Sequence, residues 1–587
     1  MKHWIKRAGV AANWVADIAA EGNFSLPVAE IVAQRAGRES WRTWLRPNEM
    51  PLCDPFELPG MTTAVRRIVK ALQSGEPISI FGDYDADGIT GTTLLVRALT
   101  AAGGHVRPFF PDRESEGYGL TARSVARWLE RHKSPPPRLL ITVDCGISCA
   151  AEIASIRTRG IDVIVTDHHT LPPTLPNAEA IVNPQMLPAD HPAHGICGCT
   201  TAFTLVRALA QAGLTLPTEE LMDLAAIATI ADVMQLTGDN RAIVAQGLAK
   251  LSAGRGNPGL QALLKEVRGR GKTAPLTAEE VAFSLVPCIN AAGRVGSALL
   301  THFTQTAATP PLAGRLPPLH RVYGMLAQVG DERLAFAKDL VTLNRLRKAA
   351  EQALLRELEA KGLTLSPEGH VLILSCSDVY AGVAGIVAAR LMERVGAPVA
   401  IVCRGEDGGG HGSMRTCGQW HAVEALRTVE DLLITYGGHE KAAGFALKPG
   451  AYEDFCARFP RAFTGDMQLE PQLYDADLSG LNIDYTRLCQ ELKRLEPCGH
   501  GNPKPIFRAR VRLLSVKTIG KEGNHLSLQV QPEGDETTLK AVWFGAGKYA
   551  AEWLPDTWLE LFFAVDEDTF FSTPRPVLMV RDAAPIA

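Results

Sequence analysis

Between residues 77 and 185 the chain alternates short, wholly apolar runs with helix-like segments, and no other feature limits its fold as strongly. The runs PISIFGDYD, HVRPFFP, RLLITVD, IDVIVTD and EAIVN are interleaved with ITGTTLLVRALTAAGG, TARSVARWLERH and CAAEIASIRTRG. Strands that are apolar along their whole length are buried on both faces, and intervening helices are what cover them. The pattern therefore predicts an α/β fold, a doubly wound parallel sheet. Ligands of such sheets bind beyond the carboxyl ends of the strands. Asp83, Asp85 and Asp87 fall there after ISIFG, Asp144 ends LLITV, and Asp167, His168 and His169 follow DVIV. Three strands thus bring carboxylates and imidazoles to one sheet edge.

At 587 residues the chain exceeds what one core organises, so several domains are expected. Helical patterns dominate 197–265, a Pro-rich loop is read at 306–320, and a long bridging helix follows from DERLAFAKDL to ELEAKG. After residue 366 HVLILSCSD, GIVAARLMERVG and APVAIVCRG restart a β-α-β pattern, a second and smaller α/β lobe. From 470 onward FRARVRLLSVKTIG, HLSLQVQP, TTLKAVWFG, WLELFFAVDED and RPVLMVRDA suit a small β-barrel of the oligonucleotide-binding type. The predicted organisation is an N-terminal helical segment (1–60), a catalytic α/β domain (61–265), a helical connector (266–365), the small lobe (366–468) and the barrel (469–587).

Net charge is −4, so a polyanionic partner must meet a local groove rather than an overall positive field. Arg345, Arg347 and Lys348, and Lys493 and Arg494, are short basic runs that read first as solvated helix faces. The N-terminus imitates a secretory signal, but Asp17 and Glu21 interrupt it, which favours an amphipathic helix. No apolar run reaches the roughly 18 to 20 residues of a membrane span. The twelve cysteines form no paired zinc spacing and read as reduced, packed thiols. A cytoplasmic monomer without a membrane partner is expected.

Clustered carboxylates repel one another unless a cation neutralises them, and hard divalent cations take oxygen ligands. The alternation in DYDADG lets Asp83, Asp85 and Asp87 converge on one ion, with Gly88 permitting the turn and the following helix N-terminus open to a phosphate. Imidazole beside carboxylate favours a transition metal such as Mn²⁺ over Mg²⁺. Asp232 lies in an apolar helix-like run where an unpaired carboxylate is costly; metal ligation, a helix cap or a salt bridge to Arg241 would each satisfy it.

DYDADG, VDCG, TDHH and ADVMQLTGDNR, in this order, resemble the four motifs of the DHH phosphoesterase superfamily. INAAGR (289–294), LNRLRK (343–348), GVAGIVAARL (382–391), GGHEKAAGF (437–445) and EPCGHGNPKPIF (496–507) further resemble the RecJ family of single-strand-specific 5′→3′ DNA exonucleases, over nearly all of the chain beyond residue 50. The resemblance implies a DHH domain, a DHHA1 lobe and an OB-like barrel. It implies that Asp83, Asp85, Asp87, Asp144, His168 and Asp232 hold two divalent ions, Mn²⁺ or Mg²⁺. Asp85, Asp144 and His169 would serve the chemistry, with His169 beside the scissile phosphate; which aspartate of DYDADG bridges stays open. Ser413, Arg415, His439 and Arg294 are the candidate phosphate donors, and Gly437 and Gly438 let backbone approach the strand. Phe507, Trp543 and Phe544 are candidate stacking residues for bases, although alternating strand aromatics more often form core.

The implied partner is single-stranded DNA, supplied through a single-strand-binding protein and a helicase, and the implied setting is DNA repair and recombination. The chain departs from the family pattern at Cys288 in place of Arg, at Val379 and Tyr380 in place of Trp-His, and at Cys498 in PCGHGNP. These departures touch strand gripping and end recognition; the metal-binding set matches. Two other functions fit parts of the pattern. A phosphodiesterase for oligoribonucleotides, cyclic dinucleotides or pyrophosphate would lack the barrel, and a non-catalytic DNA-binding replication factor would have eroded ligands.

Overall fold

In the computed structural model the described residues are 3–112, 116–117, 119–269, 274–296, 299–300, 318–327, 332–367, 369–405, 408–465, 470–568 and 574–586. A short strand β1 (Trp4–Lys6) precedes the helices Ala12–Gly22 and Leu26–Arg35. The catalytic sheet follows: β2 (Ile78–Gly82), β3 (Val106–Phe109), β4 (Leu139–Val143), β5 (Asp162–Thr166) and β6 (Ala180–Val182). Its order is β3-β2-β4-β5-β6, and every pair is parallel. All residues of β2 and β4 are buried, as their unbroken apolar runs require. Helices Ala86–Ala101 and Gly198–Gln211 pack into the same core, with Ile89, Leu94 and Leu95 meeting Phe203, Leu205 and Val206.

Helices Thr218–Ala231, Gly238–Ser252 and Pro258–Arg268 lead toward the 29-residue helix Glu332–Ala360, close to the long helix read from sequence. Of the Pro-rich stretch expected as a loop, residues 306–317 lie outside the described residues; Pro318–Ala327 is helical. The basic run on the long helix is not a solvated face throughout. Arg347 is buried and binds Asn344 Oδ1 and Glu351.

The second lobe contains β7 (Leu372–Ser377), β8 (Val399–Arg404), β9 (Gly410–Arg415), β10 (Leu433–His439) and β11 (Ala442–Leu447), in the order β10-β11-β9-β8-β7. Only β7 and β8 pair in parallel, joined through the helix Ala381–Val395; the rest of the sheet is antiparallel.

The last region has β12 (Gln472–Tyr474), β13 (Ala476–Asp477), β14 (Phe507–Ile519), β15 (His525–Pro532), β16 (Leu539–Trp543), β17 (Trp558–Asp568) and β18 (Arg575–Pro585). Pairing runs β14-β15-β16-β18-β17 and returns from β17 to β14, which closes a five-stranded barrel. Its core is shared with the N-terminal helices: Ile18, Val28, Ile31 and Val32 pack with Phe507, Val511, Leu559 and Phe563 in one cluster. The first helices therefore belong physically to the barrel, 440 and more residues away in sequence. No helix among the described residues is long and apolar enough to cross a membrane.

Candidate active site

The cluster forms where the sheet ends. β2 stops at Gly82, so Asp83, Asp85 and Asp87 do not continue one extended strand. Asp83 is buried at the strand end, while Asp85 caps the helix Ala86–Ala101, accepting from the backbone N–H of Asp87 (2.9 Å) and Gly88 (3.1 Å). Asp87 sits inside that helix's first turn and reaches across to the start of Gly198–Gln211, accepting from Gly198 N (2.7 Å) and Cys199 N (2.8 Å). Gly88 is needed for closeness rather than for a turn, since a Cβ there would lie 2.6 Å from the Asp83 backbone. Asp144 follows β4 with φ 61°, a left-handed conformation that aspartate tolerates better than most residues.

After β5, the histidines point into this cluster. His168 Nε2 stands 3.1 Å from Asp144 Oδ1, 3.5 Å from Asp232 Oδ2 and 3.8 Å from Asp87 Oδ2. Asp232 ends the helix Thr218–Ala231, and Arg241 does not pair with it. Arg241, fully buried, donates instead to the carbonyls of Trp44, Leu495, Glu496 and Pro497, tying the barrel to the catalytic domain. Three groups have donor atoms mutually within 4.8 Å: Asp83, Asp85 and Asp144; Asp87, His168 and Asp232; and Asp144, His168 and His169. Asp144 is common to the acidic group and to a histidine group, so it lies between the two places where a cation fits.

The electrostatics of this donor set fit divalent cations. Burial, and then repulsion from Asp87, raises the Asp85 carboxyl. Burial with repulsion from Asp87, Asp85 and Asp83 lifts Asp144 well above the carboxylate range, and Asp232 is pushed up to about 9 by burial and by Asp87 and Asp85. Burial lowers His168, which favours the neutral imidazole that ligates metal. A bound cation opposes the three carboxylate shifts and adds to the lowering of His168, and carboxylates with one imidazole are ligands for Mn²⁺ or Mg²⁺.

His169 is set apart by Asp167, a role its place in the sequence triplet had not revealed. Asp167 Oδ1 accepts from His169 Nδ1 at 2.7 Å and its Oδ2 from Ile147 N at 2.9 Å. Burial opposes charge on His169, but the hydrogen bond and charge of Asp167 outweigh it and raise the imidazolium pKa to about 9. The second lobe arrives here as well: the His439 ring stacks on His169 with centroids 6.1 Å apart and planes 16° apart. Gly438, at φ 143°, passes so close to β11 that a Cβ would meet Ala442 O at 2.4 Å. Ser413 and Arg415 share one face of β9 and lie over the helix Ala381–Val395, where a Cβ on Gly385 would stand 2.9 Å from Arg415 Nη2 and 3.2 Å from Ser413 Oγ.

Arg294 ends the helix Val286–Arg294, near enough to Asp85 to lower its carboxyl by charge. Two neighbours in the same motif touch the metal turn directly. Asn290 Oδ1 accepts from Ala86 N at 2.9 Å, and Gly293 passes Tyr84 so closely that a Cβ would lie 2.9 Å from its carbonyl oxygen. Asn290 was legible only as part of a motif, because its partner lies 204 positions away.

Of the departures, Cys288 is buried and bonded to Asn344 Nδ2 (3.3 Å) on the long helix. Val379 and Tyr380 lie in a turn packed against β8 and the helix Ala381–Val395 of the second lobe, and Cys498 is buried within the barrel's docking loop, residues 495–502.

The stacking expectations need correction. Phe507 is 0% exposed and packs on Phe563 inside the barrel, so no base can reach it. Trp543 is half-buried, stacked on Tyr549 at 5.3 Å with Trp553 at 5.3 Å, and packs the barrel rather than standing out as a platform. Its neighbour Phe544, on the opposite face of the chain, is 60% exposed.

Family models match in the same places as the three regions: the DHH family, N-terminal domain at 77–229, the DHHA1 domain at 368–464 and the RecJ OB domain at 474–582. The single-stranded-DNA-specific exonuclease RecJ of Salmonella typhimurium is 33% identical over 567 residues, covering 90% of this chain and 91% of that protein. The chain belongs to the RecJ family. RecJ of Thermus thermophilus is 37% identical over 81% of this chain and 65% of its own longer length, so the chain spans about two thirds of that relative. The crystal structure of Thermus thermophilus RecJ in complex with Mn²⁺ superposes with a TM-score of 0.80 at 31% identity, covering 99% of this chain and 79% of that one. The same RecJ with Mg²⁺ gives 0.75 at 30% identity, with the same 79% of that chain covered.

Proposed function

We propose that this protein is a single-stranded-DNA-specific exonuclease that removes mononucleotides from 5′ ends by two-metal phosphodiester hydrolysis, in DNA repair and recombination. The observation that carries the reading is the meeting of two lobes over one cluster: β2, β4 and β5 supply Asp83, Asp144 and His168, and the small lobe lays His439 on His169. The family relatives named for this activity support it.

In this reading Asp83, Asp85 and Asp144 would hold one ion, and Asp87, His168 and Asp232 would hold the other. When bound, Mn²⁺ or Mg²⁺ polarises the phosphodiester and makes an attacking water more acidic. Asp167 keeps His169 protonated and oriented, so that its Nε2 can donate to a non-bridging oxygen as charge develops there. Arg294, Ser413 and Arg415 bind the 5′-terminal phosphate, and Gly438 brings backbone close to the strand. A single-strand-binding protein and a helicase supply the substrate to a cytoplasmic monomer.

The test is digestion of single strands labelled or blocked at either end, with Mn²⁺ or Mg²⁺, by the wild type and Asp144→Ala. Loss of 5′-end degradation in the variant is expected. Equal activity in Asp144→Ala would overturn the metal assignment, and degradation from 3′ ends alone would overturn the polarity.

A further inference from the structure

Beyond the metal ligands a cavity of about 660 Å³ opens from His168, His169 and His439 toward the barrel. One wall is the loop Gln185–Ile196, the other the segment Val233–Asn240, and His500 from the barrel's docking loop stands at the far end. Its walls are fixed to one another. Buried Asn240 donates through Nδ2 to Gly195 O (2.7 Å) and Gln235 O (3.1 Å), and Asp239 N donates to Pro192 O (3.3 Å). Leu236 N donates to His500 O at 2.7 Å, and a Cβ on Gly501 would already lie 3.0 Å from Gln235 Cβ. The barrel loop is therefore seated on the cavity wall and completes it, so the space is formed before any ligand enters.

The chemistry of the lining selects among parts of a DNA strand. Among the described residues no lysine or arginine lines the cavity, and Asp190 is the one carboxylate of its lining. That disfavours a phosphate, whose cationic partners Arg294 and Arg415 are not among the lining residues. Gln185, His194, Gln235 and His500 instead offer donors and acceptors of the kind that meet base edges and sugar oxygens, while both ring nitrogens of His191 are taken by Glu57 and by Ala193 N. Val233 adds an apolar surface. It is 63% exposed and held at φ 55°, which β-branched residues rarely adopt, directly after Asp232.

We infer that this cavity binds the nucleoside on the retained side of the scissile phosphate, the second nucleotide from the 5′ end, and passes the strand on toward the barrel. The inference rests on the exonuclease reading above and assigns the two sides of the cut. The departing nucleotide lies toward Ser413 and Arg415, and the next base lies among Gln235, Val233 and His500. The residues that read the retained base then come from both the catalytic domain and the barrel.

The test compares first-cleavage kinetics on 5′-phosphorylated single strands that are intact, abasic at the first nucleotide or abasic at the second, using the wild type and the double variant Gln235→Ala/His500→Ala. Both side chains are exposed, and the backbone bond to His500 O survives the change. For the wild type, KM is expected to rise about tenfold when the second base is missing, the scale of one lost base contact. The variant is expected to show that KM on the intact strand already, to cleave the second-position abasic strand as the wild type does, and so to bring the ratio near one. An unchanged tenfold ratio in the variant, or a wild-type penalty only at the first position, would overturn the subsite while leaving the exonuclease reading intact. Failure of the wild type to cleave any strand would overturn both.

Discussion

The acidic sheet edge and the barrel are both made of strands rich in apolar residues, yet they display their polar and aromatic side chains in opposite ways. At the sheet edge, carboxylates and imidazoles appear where the strands β2, β4 and β5 have ended, so no strand alternation decides which way they face, even where Asp85 and Asp87 also accept from backbone N–H groups. In the barrel, aromatics lie within strands whose alternation sends every second residue inward. Phe507 goes to the core and Trp543 packs on Tyr549, while Phe544 faces solvent. Polar residues at strand ends are thus informative alone, whereas aromatic residues inside strands become informative only once the inward face is known.

The sharpest way to break that contrast is Asp144→Ala. It should reduce single-strand hydrolysis by about 10³-fold or more while leaving the fold intact, read by end-labelled digestion beside circular dichroism. Phe507→Ala should do the reverse, lowering stability by roughly 3 to 5 kcal/mol in denaturant titration through the cavity it opens. Arg241→Ala should cost roughly 3 kcal/mol by taking this donor from the carbonyls of Trp44 and Glu496 and leaving those of Leu495 and Pro497 to Asn502 Nδ2 alone, and limited proteolysis should then release the barrel first. Asn290→Ala removes the partner of Ala86 N but no ligand, and should weaken Mn²⁺ binding about tenfold by calorimetry. Phe544→Ala should be the mildest, changing stability by less than about 0.5 kcal/mol and lowering single-strand affinity a few-fold in fluorescence anisotropy. Loss of affinity in Phe507→Ala at full stability would reverse the reading of the barrel.

The parallel sheet, the long helix and the gathering of acids and imidazoles at one sheet edge were legible because each is written locally: unbroken apolar strands, a helical period, and acids at strand ends. The route by which Asp87 joins that edge was less legible. Asp87 does not share an extended face with Asp83 but sits in a helix and reaches Gly198 and Cys199 across the core. Arg241 and Asn290 were not legible as what they are, since their partners lie 197 to 256 positions away and are backbone groups, which leave no trace in side-chain pattern. Nor does the sequence say that the first helices complete the barrel. Their amphipathic pattern shows a buried face without naming what buries it.

That last arrangement bears on how the protein is made. Trp4 stacks on Phe562 at 4.6 Å and donates through Nε1 to Asp582 Oδ2 at 3.0 Å, while β1 pairs with β12. On a ribosome adding roughly 5 to 20 residues per second, the first helices emerge tens of seconds before their partners exist. During that interval Ile18, Val28, Ile31 and Val32 have no barrel to enter. The nascent chain carries an exposed apolar face while the intervening domains are made, a natural handle for chaperones, until β17 and β18 follow and cover Trp4.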